Sequence, residues 1–255
     1  METSLVISGI SSVATVAAAF IYYRTLKTLK LQTANAYKPH LFLDNSIFHV
    51  QGIQRNGITM PIKWSDKVSI IGLTEQFNAH EILRNKFILK CYNIGFGTAT
   101  KVSVNFSYEI DDFIKEIQVL EKDVPEQFHI AIEYLNPFIS FTSKNPESPY
   151  LGVGVHKELG FQRYVSYILP ANISNSYSEI ELPIHFLELL NIYIFYIACL
   201  FSIKRIEPNI PVITTEITYL DISNKAVTRN LSISTVLGAF GVVGYHGEFI
   251  ISEED

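Results

Sequence analysis

The chain is short of charge. Of its 255 residues, 18% are Asp, Glu, Lys or Arg, where globular domains usually carry about 25%. With a mean hydropathy of +0.20, that composition excludes a long disordered, solvated chain. Positive charge is not in excess either. Twenty basic residues stand against 25 acidic ones, a net charge of -5, so the basic footprint of a nucleic-acid-coating protein is missing and no direct nucleic-acid binding is expected. Cysteine is scarce: Cys91 and Cys199 are the two, too few for the disulfide framework of a secreted domain.

Catalytic patterns are missing as well. The seven histidines, at 40, 49, 80, 129, 156, 185 and 246, show no metalloprotease spacing, and neither cysteine has a CxxC partner. Asp111 and Asp112, with Glu109 and Glu116, have no accompanying histidine or glycine-bearing loop, so they read as a solvated strand end and turn. The glycines of Gly238–Gly244 lack a GK[ST] ending and a following helical pattern, and mark bulges or turns instead of a phosphate loop. No GxSxG is present, which removes the serine-nucleophile reading. The chain reads as a protein that is not an enzyme, with no metal and no cofactor.

What the chain does have is one long uncharged run. Leu5–Tyr23 is 19 residues without a charge. As a helix it spans about 28 Å, close to a hydrocarbon core of roughly 30 Å. Tyr22 and Tyr23 close it where an aromatic belt lies. A cleaved signal peptide needs a basic leading region, and Glu2 is the lone charge before Leu5. Residues 1–23 therefore read as a transmembrane helix. Ser8, Gly9, Ser12, Thr15 and Ala19 give it a small-xxx-small ridge, the pattern that lets helices approach closely in lipid and associate into a homo-oligomer.

A basic stalk follows at residues 24–38. Arg24, Lys27, Lys30 and Lys38 lie within it, and no acid occurs from position 3 to 43. By the positive-inside rule the N-terminus faces outward and the main domain is cytoplasmic. The three Asn-x-Ser sequences, at Asn105, Asn172 and Asn230, are then coincidental. Lys38-Pro39 ends the stalk helix. Beyond it the balance reverses: residues 39–255 carry 16 basic and 24 acidic side chains, a net of -8. An anionic leaflet repels such a body and attracts the stalk.

Residues 39–255 read as β. Ala99–Ile110 alternates Val102, Val104, Phe106, Tyr108 and Ile110 against Lys101, Ser103, Asn105, Ser107 and Glu109, a period of two. Shorter strands are predicted at His40–Asn45, Ser46–Val50, Lys86–Tyr92, Gln127–Tyr134, Phe161–Leu169, Val212–Asp221, Arg229–Val236 and Gly247–Ile251. Many short strands without alternating long helices predict an antiparallel β-sandwich or jelly roll. An apolar helix at about 184–204 interrupts the series. Within it Phe186–Ile203 has one charge in 18 residues, and Glu188 and Asn191 share a helical face. It is either a helix lying against the sandwich or a second membrane segment.

Tyr92-Asn93-Ile94-Gly95-Phe96-Gly97-Thr98-Ala99-Thr100-Lys101-Val102 and the later Tyr219-Leu220-Asp221 carry a resemblance. With one N-terminal pass and a basic stalk ending in Lys-Pro, the chain resembles bacterial membrane-anchored β-sandwich defence proteins. It is similar in particular to the transmembrane effectors of antiphage retron systems. The resemblance implies an effector of abortive infection in the bacterial inner membrane. Such an effector perturbs the lipid bilayer on activation, beside a reverse transcriptase and its RNA–DNA product. The alternative is a membrane-tethered β-sandwich binding or sensor module.

Overall fold

The computed structural model describes residues 2–55, 58–66, 86–145, 153–156, 161–174, 177–201, 208–241 and 244–254; the side chains of 2–14, 34–35, 53–55, 58–60, 62, 174 and 239–241 lie outside that description. The described chain is mainly β, as the sequence predicts, with antiparallel sheets that include a curled half-barrel.

One helix, α1 (Glu2–Ala36), precedes the strands. The predicted membrane stretch and the stalk are thus a single continuous helix, about 52 Å long at 1.5 Å per residue. The Tyr37 N–H donates to Thr33 O at 3.0 Å and closes its last turn. Pro39 then forces its predecessor out of helical geometry.

Seven strands form the largest sheet, in the order β3 (Ile58–Ser65), β2 (Ser46–Arg55), β13 (Gly244–Glu253), β12 (Ala226–Gly241), β11 (Ile213–Leu220), β5 (Ala99–Ser107), β9 (Phe161–Ile168). A three-stranded sheet runs β1 (Leu41–Leu43), β4 (Ile88–Asn93), β10 (Ser178–Glu181); another runs β6 (Ile130–Leu135), β7 (Phe138–Ser143), β8 (Val153–His156). The period-two reading of β5 holds: Val102, Val104 and Phe106 are buried while Lys101 and Ser107 are exposed. The β12–β13 pairing closes on Gly241 opposite Gly244 and carries an irregularity between Leu237 and Ala239. The glycine run is therefore a hairpin end with a bulge, as its composition suggests.

Several boundaries differ from the sequence reading, and β3, β7, β8 and β10 fall outside the predicted strands; two differences lie around the second helix. The strand predicted to continue to Ile110 stops at Ser107, and α2 begins at Ile110 and runs to Glu121. Ile110, Phe113, Ile114, Ile117 and Leu120 are its buried stripe, a 3.6-residue period that replaces the period of two. Asp111 and Asp112 fall in its first turn, where negative charge complements the helix dipole. The acidic cluster is a helix start, not a strand end. The strand predicted from Gln127 starts at Ile130, after a single 3-10 turn at Glu126–Phe128.

The apolar helix α3 (Ile184–Phe201) is apolar on every side, the signature of a helix surrounded by other residues. Twelve of its 18 residues are buried within the protein, and it packs against β3, α2 and β8. An aromatic chain ties it to the large sheet. Phe48, Trp64, Phe87 and Phe249 sit with ring centroids 4.7–6.4 Å apart. Phe186 of α3 reaches Phe249 at 6.4 Å and Phe113 of α2 at 5.7 Å.

Candidate functional site

Two features stand apart from the packed body: α1, and the joint by which it leaves. Every described side chain of α1 from Thr15 to Thr33 is exposed. Val16, Phe20, Ile21, Tyr22 and Tyr23 are 58–71% exposed. Arg24, Lys27 and Lys30 follow, also exposed, with the Arg24 guanidinium 5.2 Å from the Phe20 ring centroid. Of the predicted packing ridge, Thr15 and Ala19 lie on this exposed helix. Ser8, Gly9 and Ser12 belong to its backbone, and their side chains lie outside the described residues.

The joint is built by the two sequence stretches that carried the resemblance. Asn93 ends β4 and is fully buried. Its Oδ1 accepts from the His40 N–H at 3.0 Å and the Gly95 N–H at 3.1 Å. Its Nδ2 donates to Gly97 O at 2.7 Å and Ile168 O at 3.1 Å. Both donors and both acceptor positions of the amide are therefore used. Gly95 and Gly97 let the loop come against the exit segment. A Cβ on Gly95 would overlap the Lys38 carbonyl oxygen, and one on Gly97 the Tyr37 carbonyl oxygen.

From the other side, the Tyr219 hydroxyl donates to Pro39 O at 3.1 Å. Burial raises the Tyr219 phenol above its usual range, so it remains a protonated donor. Asp221, two residues on, holds the following turn through the Ser223 and Lys225 N–H groups at 2.8 and 2.9 Å. Arg229 on β12 donates to Leu41 O and pairs with Glu253. Lys38 lies at this joint, exposed, while Pro39 beside it is buried. The joint's dependence on Arg229 is invisible in the sequence, since 188 residues separate it from Leu41.

Glu188 and Asn191 of α3 have partners inside the protein. Asn191 Oδ1 accepts from Trp64 Nε1 at 2.9 Å, and Glu188 lies 3.1 Å from His185 Nδ1. A cavity of about 200 Å³ lies beside β4, with Trp64, Asp66, Lys86, Lys90, Tyr177 and Glu179 in its lining. Two lysines there balance two carboxylates, so its charge selects neither an anion nor a cation. Among the described residues no group of three or more His, Cys, Asp or Glu is placed to hold a metal ion. Cys91 is fully buried, and that burial pushes its thiol up to about 12, far from the thiolate range that reactive cysteines need.

The fold and joint define a mainly β protein carrying a projecting N-terminal helix. No protein-family model, curated protein or solved structure matches the chain.

Proposed function

We propose that α1 anchors the protein in a membrane and that the β body, read as a β-sandwich, is a tethered binding or sensor module on the cytoplasmic side. The exposure of α1 carries this reading. Its large described apolar side chains, Val16 to Tyr23, remain mostly exposed. Leaving such groups in water forfeits about 25 cal/mol per Å². A bilayer covers them and the preceding apolar residues from Leu5, with Tyr22 and Tyr23 at the interface. Arg24, Lys27, Lys30 and Lys38 set the cytoplasmic side.

The full chain expressed in bacteria tests this. It is expected to stay in the membrane pellet after alkaline carbonate washing, and its body to resist protease added outside spheroplasts. Replacing Val16 and Phe20 together with Arg is expected to move it toward the soluble fraction. Each charge costs roughly 2.5–3.5 kcal/mol near the centre of a span and less toward its end. Wild-type chain in the carbonate supernatant would sink the anchor reading.

A second reading, the retron-like effector, is favoured by one observation. Among the described residues α3 is the helix long and apolar enough to cross a membrane by length and composition. Its release from the core would supply a second membrane segment to an oligomer of α1 helices. In that reading a reverse transcriptase with its RNA–DNA product restrains the protein. Membrane potential in expressing bacteria separates the two. Depolarisation by the full chain, lost when Gly9 and Ser12 become Leu, supports the effector. An unchanged potential in the absence of any restraining partner favours the module.

A further inference from the structure

The geometry points to a rigid coupling at the joint: the Asn93–Gly97 loop, Tyr219 and Arg229 clamp the chain leaving α1 so that helix and body turn as one unit. The inference goes beyond the anchor reading and holds whether or not α1 enters a bilayer.

A flexible tether has a recognisable build: small or polar residues, exposed backbone and few hydrogen bonds. The exit segment has the opposite. Tyr37 still donates into the last helical turn. Lys38 precedes a proline, which restricts its backbone to extended conformations. Pro39 is buried, with φ fixed by its ring. From Pro39 onward the main chain is held at consecutive positions. Pro39 O accepts from Tyr219, the His40 N–H donates to Asn93, and His40 O accepts from the Ile94 N–H at 2.9 Å. Leu41 O accepts from Arg229, and Leu41 pairs with Asn93 in the β1–β4 ladder. One restricted residue, Lys38, therefore separates the helix from the clamp.

The clamp is anchored in the body by parts far apart in sequence. Asn93 is also tied to Ile168 at the end of β9, Tyr219 sits in β11 and Arg229 in β12. Swinging α1 would break several of these bonds together and open the space the two glycines leave for the exit carbonyls. A displacement of β11 or β12 is instead carried into α1 as tilt or rotation. This is the mechanical link that a sensing body needs if it is to act on its anchor.

The test uses the full chain in detergent micelles, with spin labels on cysteines replacing Lys30 in the stalk and Asn230 on β12. The native Cys91 and Cys199 are buried and stay unlabelled. Pulsed dipolar distance measurement is expected to give one narrow distribution. Gly97→Ala and Tyr219→Phe are expected to broaden it toward that of a control with a glycine-serine insert after Ala36. Tyr219→Phe removes a single hydroxyl, so it carries the test if Gly97→Ala does not fold. Chymotrypsin supplies a second readout at Tyr37, whose side chain is half exposed. With the body still folded by its Trp64 fluorescence, Tyr219→Phe is expected to be cut after Tyr37 roughly five- to tenfold faster, the factor for losing one hydrogen bond of about 1 kcal/mol. A wild-type distribution as broad as the insert control would overturn the coupling. So would variants that keep both the wild-type width and the wild-type cleavage rate.

Discussion

Asn93 lies 53 residues from His40 and 75 from Ile168, yet one amide side chain holds both. Removing it leaves four backbone groups short of a partner. At about 1–3 kcal/mol for each buried group left unsatisfied, and with partial access to water at this edge, Asn93→Ala is expected to cost roughly 3–4 kcal/mol. Thermal unfolding of the full chain should register a fall of about 10 °C, at 2–4 °C per kcal/mol for a body of this size; a change within 2 °C would mean that water replaces the amide. The sequence shows Asn-x-Gly-x-Gly as a short pattern, and its spacing does mark a tight loop. It cannot show that the glycines are there for the Tyr37 and Lys38 carbonyls, because that need arises once the stalk is folded against the loop. Glu188 and Asn191 teach the same lesson. Their shared helical face is legible from a spacing of three. Their separate partners, His185 on the same helix and Trp64 across 127 residues, follow from tertiary packing.

At the scale of elements, α3 and α1 each contain a long run with little or no charge, and their described side chains are treated in opposite ways. Composition alone does not tell a core helix from a membrane span, since a helix apolar all round suits either surrounding. What differs is the company: α3 packs against β3, α2 and β8, while the described side chains of α1 from Thr15 to Thr33 are exposed. Ile194, fully buried near the middle of α3, measures this enclosure. Ile194→Ala is expected to destabilise the body by about 2–5 kcal/mol, the transfer and cavity cost of a close-packed site. Urea unfolding read through Trp64, the chain's one tryptophan, reports it directly because that indole is bonded to α3. A midpoint shift under a tenth of the wild-type value would mean that α3 is loosely held and free to leave. The β5–α2 boundary escapes the sequence pattern for a related reason. Alternation ran past the strand through Tyr108 to Ile110, and Ile110 serves both as the fifth residue of a period-two series and as the first of a helical stripe.

For the whole molecule, charge and protonation decide where and when the fold is secure. The positive stalk and negative body are legible from residue counts, and they survive folding because Arg24, Lys27, Lys30 and Lys38 all remain exposed. Two histidines add a pH dependence that the sequence hides. His40, at the joint, is held below its usual range by burial and then by the positive charge of Arg229. His49 on β2 is held down by burial and then by His246, its cross-strand neighbour on β13, whose ring centroid is 6.1 Å away. A histidine whose folded value lies below its unfolded value of about 6.5 stays neutral longer in the native state. Between the two values the unfolded chain binds more protons, so stability rises with pH there. The contribution is fully present above pH of about 6.5 and is lost progressively as pH falls through the folded values. Melting of the full chain in detergent should therefore fall from pH 7.5 to pH 5.5. Replacing His40 and His49 with Gln should flatten that segment of the curve, with His40→Gln also slowing the acid-induced onset of chymotrypsin cleavage after Tyr37. Because Arg229 both binds the Leu41 carbonyl and disfavours the charged form of His40, acid is expected to loosen the joint before it unfolds the sheets, and a cleavage rate that stays constant to pH 5.5 while the body melts would show that the joint does not feel this protonation.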